Sequence, residues 1–105
     1  MSAAGSFHLA ATGGGRYAAS GPLTFATARR ARELGMQALA GAAGSSLELA
    51  CGGVTAADSA GLAVLLDWLG VTRRAGCVLR YTQLPQGLLA LARISEVADL
   101  LAPAP

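Results

Sequence analysis

The segment Thr55-Ala56-Ala57-Asp58-Ser59-Ala60-Gly61 gathers more side-chain chemistry than any other part of this sequence. It leads into Leu62, Leu65, Leu66 and Leu69, whose i, i+3, i+4, i+7 spacing is that of a buried helix face. At the head of such a helix Asp58 or Ser59 serves as an N-cap, and Thr55 with Asp58 has the spacing of a capping box, together supporting the helix by about 1 kcal/mol. The same place presents unpaired N–H groups and a partial positive charge, which favour an anion. A serine there accommodates a phosphate of charge about −1.5 to −2 or offers its hydroxyl to a partner surface. Ser59 is therefore the candidate switch or contact residue.

Catalytic readings of the same residues find little support. A nucleophile elbow needs G-x-S-x-G, and the residue two before Ser59 is Ala57. His8, the one histidine, falls on the first expected strand with no route to Ser59. Asp67 stands more than two helical turns beyond Asp58, and Glu48 lies on the preceding strand, so no carboxylate pair forms. Cys51 and Cys77, with 25 residues between them, lack the paired spacing of a zinc site and read as small buried apolar residues. Gly13-Gly14-Gly15 is followed by no Lys-Ser or Lys-Thr and reads as a turn, not a phosphate loop. No catalytic set, cofactor site or metal site is assigned.

Trp68 admits two placements. With the four leucines filling the core stripe, Val64, Trp68 and Val71 form a second apolar line. That line either packs on a neighbouring helix or stands exposed, with Trp68 as the anchor for a partner.

The elements that position these residues follow from periodicity and punctuation. Phe7 to Ala11 and Arg16 to Ser20 flank the glycine triplet as a hairpin. After Gly21-Pro22, Thr24 caps a helix from Phe25 to about Ala40 with Ala28, Ala31, Leu34 and Ala38 as its apolar stripe, closed by Gly41 to Ser46. Leu47 to Cys51 is a strand, Ser59 to Arg74 the leucine-rich helix, and Gly76 its stop. Cys77 to Tyr81 is another strand, and Pro85 opens a helix over Gln86 to Arg93. Ser95 caps a last helix with Val97, Leu100 and Leu101 inward, and Pro103 and Pro105 finish the chain. This alternation predicts an α/β fold, a small mixed sheet of about four strands with helices packed against it, as one domain over 1–105 with its core at about 7–101.

Composition agrees with one small domain: 105 residues, eight positive and six negative charges. The hydrophobic fraction of 53% is inflated by 24 alanines, and the uncharged stretch Leu34 to Leu47 holds 14 residues with three glycines among them, short of a membrane span. No charged front and long apolar middle of a secretory signal precede Gly13, so the expected location is the cytoplasm, without membrane insertion. Arg29, Arg30 and Arg32 form the one cluster of three cations, interrupted by Glu33 and without adjacent aromatics. It reads as a solvated helix face, and no nucleic-acid partner is expected.

Gly21-Pro22-Leu23-Thr24-Phe25-Ala26-Thr27-Ala28, then Val54 through Leu66 with its Asp58-Ser59-x-Gly61-Leu62 element, resemble the STAS domain shared by anti-sigma-factor antagonists and sulfate-transporter tails. Within that family, Leu84 to Arg93 followed by Val97, Leu100 and Leu101 is most similar to the small cytoplasmic STAS subunits of the Mla phospholipid ABC transporters. The Gly-Leu-Asp and phenylalanine that sigma-pathway antagonists tend to carry in this region are missing. Cys51-Gly52-Gly53-Val54 departs from the family by being longer and richer in glycine.

The resemblance implies a non-enzymatic module that binds an MlaF-like ABC ATPase subunit, itself complexed with a permease, in a system maintaining outer-membrane lipid asymmetry. It implies a docking face at Asp58, Ser59, Ala60, Gly61, Leu62 and Ala63, peripheral to the inner membrane through that complex. The alternative it implies is an anti-sigma factor antagonist in which Ser59 is phosphorylated.

Overall fold

A computed structural model describes residues 5–39 and 46–101. Strands β1 (His8–Gly13) and β2 (Arg16–Leu23) are followed by α1 (Ala28–Leu39), β3 (Ser46–Ala57), α2 (Ser59–Arg74), β4 (Val78–Thr82), α3 (Gln86–Ile94) and α4 (Ala98–Leu101). The order of elements and the bounds of α2 are those the periodicity predicts. The glycine-rich stretch expected to close α1 lies almost wholly outside the described residues, as do Pro103 and Pro105.

The sheet runs β1-β2-β3-β4, with β1 antiparallel to β2 and the other two pairs parallel. Gly13, Gly14 and Gly15 all have positive φ, which glycine adopts at no steric cost, and turn the hairpin tightly. Alternate residues of the sheet are buried against the helices, among them Ala19, Leu23, Leu47, Leu49, Cys51, Leu79 and Tyr81. On the opposite face Arg16, Glu48 and Arg80 stand in register across three strands. The helices thus cover one side of the sheet.

β3 is longer than the expected Leu47 to Cys51, because it runs through Gly52-Gly53 to Ala57. Its pairing with β2 shifts register twice, between Ala18 and Ser20 and between Gly21 and Pro22. Each shift adds a residue to β3, so its buried positions step from Cys51 to Val54 instead of to Gly53. A Cβ on Gly53 would lie 2.9 Å from Ala19 O, so the first shift needs glycine there. The extra glycines are therefore absorbed inside the sheet, and the approach to α2 stays short.

Three further expectations are corrected. Thr55 belongs to β3, so the capping box it was to form with Asp58 does not exist. Ser95 is the C-cap of α3, not the N-cap of α4: Val97 N–H donates to Ala92 O and Glu96 N–H to Arg93 O, with Glu96 left-handed at φ 60°. The same closure ends α2, where Gly76 at φ 76° lets Cys77 N–H reach Thr72 O at 2.8 Å. Of the last helix's expected inward residues, Leu101 is buried but Leu100 is exposed.

The core joins α2 to everything else. Leu62, Val64, Leu65, Trp68 and Val71 are its buried apolar residues, whereas Leu66 and Leu69 are only partly covered. The buried stripe is thus rotated from the expected leucine line towards α1. Trp68 is completely buried, so the exposed-anchor placement is wrong: its indole tilts against Phe7 with ring centroids 6.1 Å apart and lies on Gly35 of α1. A Cβ at Gly35 would fall 1.9 Å from Trp68 Nε1, so the helices approach closely only because residue 35 has no side chain. That N–H has no hydrogen-bond partner among the described residues. Tyr81 OH donates to Leu65 O at 2.6 Å and fastens β4 to α2.

Candidate functional site

The site is built where the carboxyl ends of β2 and β3 meet the first turn of α2. Asp58 has an extended backbone and caps α2, its Oδ1 accepting from Ala60 N–H at 3.0 Å and Gly61 N–H at 3.1 Å. Its Oδ2 accepts from Phe25 N–H at 3.0 Å, across 33 residues of sequence. One carboxylate thus satisfies two orphan donors of the helix and one donor of the β2–α1 connection. These bonds, that from Phe25 first, then that from Gly61, hold the Asp58 carboxyl below its ordinary titration range.

Gly61 has a separate role. A Cβ there would lie 2.1 Å from Leu23 O and 3.0 Å from Leu23 C, so the first turn of α2 rests on the backbone at the end of β2. The Asp58-Ser59-x-Gly61 element therefore has two physical reasons: a cap for the helix, and a glycine where helix meets strand. Leu62 is buried below, while Ser59 and Ala63 are exposed and Ala60 is half-buried. Of the six residues expected to form a docking face, Gly61 and Leu62 are buried, Asp58 and Ala60 are half-buried, and Ser59 and Ala63 are exposed.

The residue that sequence reasoning missed is Phe25. The sequence places it at the start of α1, ahead of the apolar stripe of Ala28, Ala31, Leu34 and Ala38. The helix instead begins at Ala28 after a turn that Thr27 organises: its Oγ1 donates to Pro22 O at 2.8 Å and accepts from Thr24 N–H at 3.0 Å. The turn leaves Phe25 84% exposed with its backbone fixed to Asp58. Its backbone is thereby fixed to the residue that precedes Ser59.

The other residues weighed for chemistry are not brought there. Asp67 lies nine residues along α2 from Asp58, about 14 Å of helix, and pairs with Arg32 at 3.1 Å on the surface, a contact worth about 0–1 kcal/mol. Arg29 and Arg30 are exposed on α1. Cys51 and Cys77 are buried, and burial pushes the Cys51 thiol up to about 12. Among the described residues no group of three or more His, Cys, Asp or Glu is placed to hold a metal ion, and no helix is long and apolar enough to cross a membrane.

A family model described as "Mlab, STAS domain" matches residues 9–102. No curated protein matches the sequence. Among solved structures, the murine anion transporter Solute Carrier 26 family member A9, in its inward-facing state, is similar with a TM-score of 0.59 and 16% identity. The match covers 81% of this chain and 14% of that one, so the likeness concerns the fold, over a small part of the transporter.

Proposed function

The chain belongs to the MlaB-type STAS domain family, and from that premise we propose that it is the accessory subunit that docks on the ATPase of a phospholipid-moving ABC transporter. STAS domains are interaction and regulatory modules, and the exposed end of α2 supports such a role for this one. The single observation that carries the reading is the state of Ser59. It stands exposed on a helix terminus whose neighbouring donors are already taken by Asp58, while the opposite side of α2 is packed into the core.

Because the Asp58 carboxylate fixes the backbone, Ser59 offers its hydroxyl without reorganisation, so little conformational freedom is lost on docking. The bound ATPase is stabilised by mass action, in the cytoplasm at the inner membrane, where the complex with its permease resides. This chain contributes binding energy and no chemistry.

Ser59→Arg tests this. The position is exposed and first in its helix, so the change costs at most about 1 kcal/mol of stability through the helix dipole. The variant is expected to fold and to lose copurification with the co-expressed ATPase; retained copurification overturns the docking face. The exposed Ser59 also suits the second reading, a phosphoacceptor in an anti-sigma factor antagonist. Incubation with the cognate kinase and intact-mass measurement decides it, since stoichiometric single phosphorylation at Ser59 would replace the transporter reading.

A further inference from the structure

We infer that Phe25 is the anchor of the docking surface, a knob that inserts into an apolar, uncharged hole on the ATPase beside the group that meets Ser59. The inference rests on the proposed docking reading and adds the residue that dominates its affinity and the chemistry of the partner's pocket.

Three observations carry it. Phe25 is 84% exposed, the highest among the exposed large apolar side chains of the described residues and the one aromatic among them. Its backbone is nevertheless rigidly held, by the Phe25 N–H to Asp58 Oδ2 bond on one side and by Thr27's bonds to Pro22 and Thr24 on the other. A pinned, exposed aromatic is pre-organised for insertion, with two side-chain torsions to freeze and no loop to order.

The third observation is the relief around it. Asp58 ties Phe25 to the first turn of α2, whose surface residues are Ser59, Ala60 and Ala63, and Ala56 at the adjoining end of β3 is exposed too. None of these is larger than alanine or serine, so the floor on the α2 side of Phe25 is low, while the exposed Arg29 stands four residues on at the start of α1. The charge within this floor, the Asp58 carboxylate, is engaged by three backbone donors. A complementary surface is therefore concave opposite Phe25, lined by aliphatic or aromatic side chains, and free of charge at its bottom.

The test measures affinity of the full chain for its purified ATPase by calorimetry, for wild type, Phe25→Ala, Phe25→Leu, Ser59→Arg and Ile94→Ala. Ile94, 81% exposed on α3, controls for loss of any exposed apolar residue. Phe25→Ala is expected to unfold at the wild-type temperature and to bind about 10- to 150-fold more weakly, the range for removing one buried phenylalanine. Phe25→Leu should recover part of that loss, and Ile94→Ala should bind like wild type. Loss of binding in Ser59→Arg with less than a tenfold effect in Phe25→Ala overturns the anchor and leaves the docking reading standing. Wild-type binding by Ser59→Arg overturns both. If sedimentation shows that Phe25→Ala converts a dimer of this chain to monomer while its ATPase affinity is unchanged, the ring serves a second copy and the inference is likewise overturned.

Discussion

Replacing Gly61 by alanine sets two physical effects against each other, and the structure says which prevails. In the first turn of α2, alanine is the better helix former by about 1 kcal/mol. The added methyl carbon, however, would stand 2.1 Å from Leu23 O, 3.0 Å from Leu23 C and 3.1 Å from Leu23 Cγ. The two nearest obstacles are backbone, so no rotamer relieves them, and helix and strand must part by about 1 Å to restore ordinary contact. That motion works against the Asp58 bonds to Ala60, Gly61 and Phe25, all near 3.0 Å. Overpacking of this kind costs about 3 kcal/mol at the upper end of its range. After the propensity gain the net loss is about 2 kcal/mol, a fall in Tm of about 8–16 °C for a domain of this size.

Gly87 supplies the matched control, since it lies in α3 with open space where a Cβ would go. Gly87→Ala is expected to raise Tm by a few degrees through propensity alone. Thermal unfolding followed by circular dichroism distinguishes the two. A Gly61→Ala protein as stable as wild type, or two substitutions moving Tm in the same direction, would refute the reasoning that close approach at Leu23 dictates this glycine.

The remaining predictions concern titration. Asp58 titrates lower in the folded chain than in the unfolded one, so it contributes stability above its unfolded value near pH 4 and loses it as pH falls through the lower folded value. Urea midpoints should therefore drop more steeply on acidification in wild type than in Asp58→Asn, whose amide nitrogen opposes Phe25 N–H even at neutral pH; parallel profiles would count against the clamp. Cys51 has the opposite sign: its folded value of about 12 is raised, so its share of stability is intact below the unfolded thiol value and declines as pH climbs towards 12. Wild type should lose stability faster than Cys51→Ala above about pH 9, by up to roughly 1.4 kcal/mol per pH unit, and equal slopes would show that the thiol is not desolvated.

Much of the architecture was legible because local signals and tertiary needs coincide. The apolar period of α2, the stop at Gly76 and the turn at Gly13 to Gly15 each agree with the observed elements. The Asp58-Ser59-x-Gly61 element was legible too, but for half of its reason. Asp58 as a cap follows from residue type, whereas the need for Gly61 comes from Leu23, 38 positions earlier and invisible to any local pattern. The turn at Phe25 was not legible, because helix formers run on from it without a break and a single threonine hydroxyl converts the segment into a turn. Trp68 was undecidable from α2 alone, since what covers it is Gly35 on α1 and Phe7 ahead of β1.

The burial of that indole has an optical consequence. Trp68 is the chain's one tryptophan, wholly withdrawn from water and without an acceptor for its N–H among the described residues, so the folded protein carries its single indole in a dry setting. Its light reports the seam between the two long helices. The Ser59 end of α2 lies about 14 Å of helix away, so a ligand arriving there can be titrated against a fluorophore that responds to unfolding but not to contact.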